Sequence, residues 1–333
     1  MTCLYPPEHR GGAPQQCRQI AMEQSARGHE VAVFSGVLAP GQPALKTTDS
    51  VQDGLLVRRV VTNDGFPDYE ERNWRHPAVE EPFRDLLASR RPDVVHFHSI
   101  QSLGASLIAV ATDAGARTVV TMHDLWWICQ RQFCIDRRYR PCLPAVTPGS
   151  CACETGVTEL FQRRAYLTGM LGQVDLVLTP SEAVVERLRM SGVEGRVEVD
   201  PNGVPQDAPP PPRHVADRAA PLRVLYVGGE SKQKGLHVLA AALRVLADRG
   251  VPHEADLYGV DILSFEISRL LGGLTARVHK AFEPEERDEV MASHDVLVLP
   301  SVMFESSSRA VREALVRGLT VVATESGGPQ EVV

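Results

Sequence analysis

The sequence predicts an α/β protein of two domains, each built on a parallel β-sheet. Three observations carry this. Apolar runs alternate with helix-like stretches along the whole chain, the pattern of βαβ units. The length, 333 residues, suggests about two domains. A proline-rich break, DAPPPPRHVADRAAP at 207–221, interrupts the alternation. Consecutive prolines cannot sit inside a helix or a central strand, so the break reads as a semi-rigid interdomain linker.

In the first half, HEVAVF (29–34), GLLVRRV (54–60), DVVHFH (93–98), ARTVVTMH (116–123) and VDLVLTP (174–180) read as short buried strands. Residues 15–27, 78–89 and 103–114 read as the helices between them. After the break come LRVLYVG (222–228), a helix over 236–249, ADLYG (255–259), TARVH (275–279) and DVLVLP (295–300). A helix and a last buried strand, Thr320–Ala323, close the pattern. The expected division is therefore 1–206, a linker at 207–221, and 222–333, with a cleft between the halves. No repeat of fixed period is present.

With 43% hydrophobic and 23% charged residues, the chain has an ordinary soluble composition. A formal net charge of −7 argues against generic nucleic-acid binding, which needs a basic face, but leaves room for a local basic cleft. No apolar run is long enough to span a bilayer. The start, MTCLYPPEHRGG, has no apolar core of a secretory signal, so a cytoplasmic location follows by default. Arg163 and Arg164 are the basic residues that a peripheral contact at the inner membrane face would use, although two arginines ordinarily just face solvent.

Four segments carry chemistry. At the C-terminal end, a buried strand (Val296–Leu299) runs into a Pro-Ser turn, a serine-rich loop and a helix. Open α/β sheets bind ligands at such strand ends, and the following helix aims its positive end there. Glu305 and Glu313, seven residues between them, could hold sugar or ribose hydroxyls, while Ser306, Ser307 and Ser308 could cap the helix and offer amides to a phosphate. In LRVLYVGGESKQKGL, Lys234 follows a strand and a turn, a compact point charge suited to phosphate. In YPPEHRGGAPQQ, Gly11 and Gly12 precede a helix and let backbone amides approach a phosphate closely. In VVTMHDLWWIC, a strand ends on His123, followed by Trp126 and Trp127, of which one reads as core and the other stays open to stacking on a sugar or filling the core. His96 and His98 share one face of a strand; that spacing can chelate a metal, but neither carboxylates nor further histidines stand at matching spacing, and the resemblance described next, to a family that commonly carries histidines at this strand end, implies a structural role.

Together these segments resemble the family-4 retaining glycosyltransferases, whose E-x7-E signature matches Glu305 and Glu313. The resemblance covers nearly all of the chain, which looks shortened at both ends relative to that family. It implies the GT-B arrangement, two Rossmann-like doubly wound domains, with the N-terminal one binding the acceptor and the C-terminal one the nucleotide sugar. It places His123 and Glu305 at the transferred sugar. Lys234, Ser307, Ser308, Gly11 and Gly12 then serve the donor diphosphate side, and Glu313 the ribose. The expected donor is a UDP-, GDP-, ADP- or dTDP-sugar, and the acceptor a glycan, glycolipid or small molecule. No catalytic metal is expected. One departure is Gly229, where many relatives carry an arginine; Lys232 is the candidate substitute. A truncated, non-catalytic relative that binds nucleotide or protein is the alternative.

Of seven cysteines, five lie between Cys129 and Cys153. In a chain without a secretory signal, such clustering points to metal before disulfides. Cys129, Cys142, Cys151 and Cys153 are the set chosen for a structural zinc, with Cys134 the spare; thiols without metal are the alternative, as is a zinc-ordered module for contacting another protein.

Overall fold

The computed structural model describes residues 1–7, 11–62, 71–142, 151, 157–204 and 220–333. The chain forms two compact units: Met1–Phe133 with Leu143–Pro201, and Cys134–Cys142 with Asn202–Val333. The break therefore comes just ahead of the proline-rich segment, nearly all of which lies outside the described residues. The segment Cys134–Cys142 groups with the second unit, not with the sequence on either side of it.

The first unit opens with helix α1 (Gly12–Ala26) and strand β1 (Ala32–Val37), followed by β2 (Thr47–Gln52) and β3 (Leu55–Val61). β1 pairs with β3 in parallel, and β2 runs antiparallel to β3. The hairpin between them is closed by Asp53 and Gly54, both at positive φ (51° and 77°), the backbone a two-residue hairpin loop demands. Then come α2 (Glu80–Arg90), β4 (Val94–Phe97), α3 (Leu107–Asp113), β5 (Arg117–Thr121), α4 (Val157–Leu171), β6 (Leu176–Thr179), α5 (Glu182–Met190) and β7 (Val197–Val199). β4, β5, β6 and β7 form a parallel sheet in that order.

A short extended segment joins the two sheets of this unit. The Thr2 N–H donates to Phe34 O at 3.1 Å, and the Gly36 N–H donates to Thr2 O at 3.3 Å. On the other side, the His98 N–H donates to Met1 O at 2.9 Å and the Cys3 N–H donates to Ser99 O. Gly36 is required by this contact, because a Cβ there would lie 2.6 Å from Cys3 O.

The second unit is a single parallel sheet. Its elements are β8 (Leu222–Val227), α6 (Leu236–Asp248), β9 (His253–Tyr258), α7 (Phe265–Leu271), β10 (Ala276–His279), α8 (Arg287–Ala292), β11 (Val296–Leu299), α9 (Arg309–Val316) and β12 (Thr320–Ala323). The strand order is β10-β9-β8-β11-β12. Side chains alternate across the sheet, so Val224 and Tyr226 of β8 pack with Leu236, Leu239 and Leu243 of α6 and Ile267 of α7. Leu225 points the other way and packs with Val290 of α8 and with Val311 and Ala314 of α9. Helices therefore cover both faces. The chain leaves β8 outward to β9 and β10, then returns to build β11 and β12 on the opposite side. The order reverses between β8 and β11, and the carboxyl ends of those two strands form the crevice where a doubly wound sheet receives a ligand.

Candidate active site

At that crevice the loops after β8, β11 and β12 are tied together. After β8, Ser231 accepts the Lys234 N–H at 3.3 Å and starts a tight turn over Lys232–Lys234. Gly235 ends the turn at φ 73°, and its missing Cβ is obligatory: one built there would stand 1.8 Å from Pro300 O. The turn thus rests directly on the exit of β11, and the Val302 N–H donates to Gln233 O at 2.9 Å. On the other flank, the Glu305 N–H donates to Ser326 O and the Gly328 N–H to Glu305 O, both at 2.8 Å. Gly327, at φ 119°, has no room for a Cβ, which would lie 2.6 Å from Glu305 O.

These contacts deliver Glu305 to Lys234. The Lys234 ammonium donates to Oε1 of Glu305 at 2.9 Å, and the Ser301 hydroxyl donates to the same oxygen at 2.6 Å. Glu305 is buried, whereas about a third of the Lys234 side chain remains exposed, 35%. A buried carboxylate needs charged or hydrogen-bonding partners, and here it has both. Ser301 is the partner that the sequence reading did not single out; the Pro-Ser turn after β11 was its only signal.

Ser308 caps α9 by accepting the Val311 N–H at 3.4 Å, and Ser307 accepts from Arg312 Nε at 3.3 Å. One helical face further on, Glu313 is buried between two arginines. Arg309 Nε donates to Oε1 at 2.8 Å, and Arg287 Nε lies 3.2 Å from the same oxygen as an ion pair without hydrogen-bond alignment. Both ion pairs of this carboxylate are closest at Oε1. Neither arginine was anticipated; Arg309 stands four residues before Glu313, the spacing at which helical side chains meet. Lys232 packs against the ring of Tyr139, its ammonium 5.9 Å from the centroid. The Gly229 carbonyl accepts from the Tyr226 hydroxyl at 2.9 Å.

In the first unit, Gly11 is the N-cap of α1, at φ −65° with no side-chain cap. Gly12 has nothing within 4 Å of where a Cβ would sit, and neither glycine has positive φ, so the fold itself does not demand glycine at this helix start. His123, just beyond β5, meets His98, just beyond β4: His98 Nδ1 and His123 Nε2 are 2.9 Å apart. Their ring centroids are 5.2 Å apart with 22° between planes, and the His96 centroid lies 4.1 Å from that of His98. His96 Nε2 is hydrogen-bonded to Thr121 Oγ1 at 2.7 Å. Burial pushes His123 down to about 4 and His96 down to about 3, and holds His98 well below its usual range. The parallel register of β4 and β5 makes this meeting possible, because it aligns the ends of the two strands.

Both Trp126 and Trp127 are buried. The Trp126 indole N–H donates to Asn73 Oδ1 at 2.7 Å, and Trp127 packs edge-on against it at 5.0 Å. The pair fills the core, where the sequence left one of them open for stacking on a sugar. Arg163 is buried and Arg164 half-buried. Arg163 donates to Trp126 O at 2.6 Å and lies 5.3 Å from the Trp126 ring. Arg164 donates to Ile128 O at 3.1 Å and to Ser191 O. These arginines hold the loop after β5 against α4. No described helix is long and apolar enough to cross a membrane.

Of the proposed zinc ligands, Cys153 lies outside the described residues. Cys129 and Cys151 belong to the first unit and Cys142 to the second. The Cys129 N–H donates to Leu125 O and the Cys142 N–H to Cys134 O, both at 2.7 Å. Among the described residues no group of three or more His, Cys, Asp or Glu side chains is placed to hold a metal ion.

Comparison with known proteins identifies two family models in this chain. The Glycosyltransferase Family 4 model matches residues 10–208, and the Glycosyl transferases group 1 model matches residues 221–333. A 2-deoxystreptamine glucosyltransferase from Streptomyces kanamyceticus is 28% identical over 90% of this chain and 78% of its own. A D-inositol 3-phosphate glycosyltransferase from an Arthrobacter strain is 26% identical over 96% of this chain and 75% of its own. Among solved structures, sucrose-phosphate synthase from Thermosynechococcus elongatus superposes with a TM-score of 0.65 at 18% identity, covering 96% of this chain and 77% of that one. The Anabaena protein HepE in complex with UDP-glucose gives 0.61 at 17% identity, covering 98% and 80%. At such identities the structural likeness establishes the GT-B fold.

Proposed function

We infer that this chain, which belongs to glycosyltransferase family 4, moves a sugar from a nucleotide-sugar donor to its acceptor with retention at the anomeric carbon. The observation that carries the reading is the Lys234–Glu305–Ser301 constellation at the β8/β11 crevice.

In the transfer, departure of the nucleoside diphosphate builds negative charge on phosphate oxygens and positive character on the sugar ring. Lys234 meets the first, helped by the N-terminal dipole of α9. Glu305, already fixed by two donors, meets the sugar. When a diphosphate draws the Lys234 ammonium toward itself, Ser301 continues to orient Glu305. Glu313, held by its arginines, takes ribose hydroxyls. In the first unit, Gly11 and Gly12 let the start of α1 approach a phosphate, since no side chain stands in the way. His123, neutral at physiological pH because burial depresses its pKa, contacts a sugar hydroxyl without adding charge. The same-face route then needs no protein nucleophile, because a leaving phosphate oxygen accepts the acceptor proton. Relatives named for 2-deoxystreptamine and D-inositol 3-phosphate favour a small cyclic polyol as acceptor.

A thermal-shift titration with UDP, GDP, ADP, dTDP and their common sugars tests this. Stabilisation by one base, growing with concentration as linkage requires and absent in Lys234→Ala, is the expected result. No shift with any of them would replace the transfer reading with that of a non-catalytic relative.

A further inference from the structure

The contact between His98 and His123 carries more than packing. His98 is buried, 4% exposed, at a position where an apolar side chain would avoid the cost of desolvating two ring nitrogens. With both imidazoles neutral, each ring has one N–H and one bare nitrogen. A nitrogen–nitrogen contact of 2.9 Å between two such rings holds one proton only, because two N–H groups would repel and two lone pairs would leave both nitrogens unsatisfied. The two tautomers are therefore locked to each other. If His98 Nδ1–H donates, His123 carries its proton on Nδ1; if His123 Nε2–H donates, its Nδ1 is an acceptor. The same hydrogen bond fixes the rotation of the His123 ring. The His96 ring, itself held by Thr121, lies against His98 with its centroid 4.1 Å away and its plane tilted by 31°.

We propose that His98 is a positioning residue for transfer: through its hydrogen bond it sets the tautomer and ring orientation with which His123 meets the substrate. The proposal rests on the reading that His123 contacts the transferred sugar. His98 acts through His123 and need not touch substrate itself. Its effect would appear in kcat, because a mis-set partner costs the transition state and leaves donor binding in the second unit unchanged.

The experiment uses the full chain in two parallel measurements. Long-range nitrogen–proton correlation spectra of the 15N-labelled imidazoles report tautomers without any substrate. Wild type should show His123 in one tautomer, and His98→Phe should shift or average it. His98→Asn, whose amide occupies the Nδ1 position, should restore a single form; His98→Gln, whose amide reaches the Nε2 position, should not. In steady-state assays with the donor found by the nucleotide titration, His98→Phe should lower kcat by about 10–100-fold with the donor KM within about twofold, and His98→Asn should recover most of that loss. If His98→Phe does not fold, the contrast between His98→Asn and His98→Gln decides. An unchanged His123 tautomer in His98→Phe, or equal kcat for the Asn and Gln variants, overturns the proposal. A tautomer change in His98→Phe, with wild type inactive toward every nucleotide sugar, supports the pairing and overturns instead the transfer reading.

Discussion

The ammonium of Lys234 stands 2.9 Å from Oε1 of Glu305, so the two charged side chains proposed to meet the diphosphate sugar are engaged with each other in its absence. Donor binding therefore exchanges one ion pair for another, and the gain is smaller than for a lysine waiting in solvent. Lys234→Met should weaken nucleotide binding by roughly 10–100-fold, the worth of one charged hydrogen bond. Isothermal titration with the preferred nucleotide measures it. An unaltered affinity would show that Lys234 serves only to hold Glu305.

Glu313 tests the opposite balance. Glu313→Ala removes the acceptor between Arg309 and Arg287 and should lower the stability of the unliganded protein by about 1–3 kcal/mol, while Glu313→Gln should lose less. Both should raise the donor KM. Urea unfolding alongside steady-state kinetics separates the two effects; a normal KM in both variants removes Glu313 from the ribose.

Gly235→Ala should destabilise by more than about 3 kcal/mol, because a Cβ would collide with Pro300 O and φ of 73° is strained for any other residue. A calorimetric melting temperature within a degree or two of wild type would show that the turn has another seat.

Stability should fall on acidification from about pH 6.5 toward 4. His96 and His123 protonate near 6.5 in an unfolded chain but only near 3 and 4 when buried, so the unfolded state binds more protons across that window. Their contribution is fully present above 6.5. Urea midpoints at pH 7, 6 and 5 should decline, and His96→Leu should reduce the slope by about one proton. A flat profile would mean that the histidines are open to solvent.

Asn73→Ala strands the buried Trp126 indole N–H and should cost about 1–3 kcal/mol without changing nucleotide affinity. Combined denaturation and titration data check both halves; a changed affinity would return Trp126 to the binding site.

Most of the fold was legible because parallel sheets are buried on both faces and announce their strands as apolar runs. β2 was not: TTDSVQ is polar and almost wholly exposed, an edge strand with no core face to pattern it. The Asp53-Gly54 pair was the available hairpin signal. At the candidate site, Glu305, Glu313, Lys234 and His123 stood out because family motifs mark them in the segments that follow strand ends. His98 was visible only as half of an H-x-H spacing, and its partnership with His123 depends on the alignment of β4 with β5, which one sequence does not display. Arg163 looked like surface because isolated arginines usually are, yet α4 turns it beneath Trp126. Ser301 drew no attention, since a serine after a proline reads as a turn.

Gly235 lies under Pro300 O and Gly327 under Glu305 O, so two of the three loops around the crevice are pinned by backbone touching backbone. Drift at either glycine is barred by collision. The route of these loops is thus closed to gradual change, and descendants of this chain can alter their choice of sugar chiefly by exchanging side chains along an unchanged path.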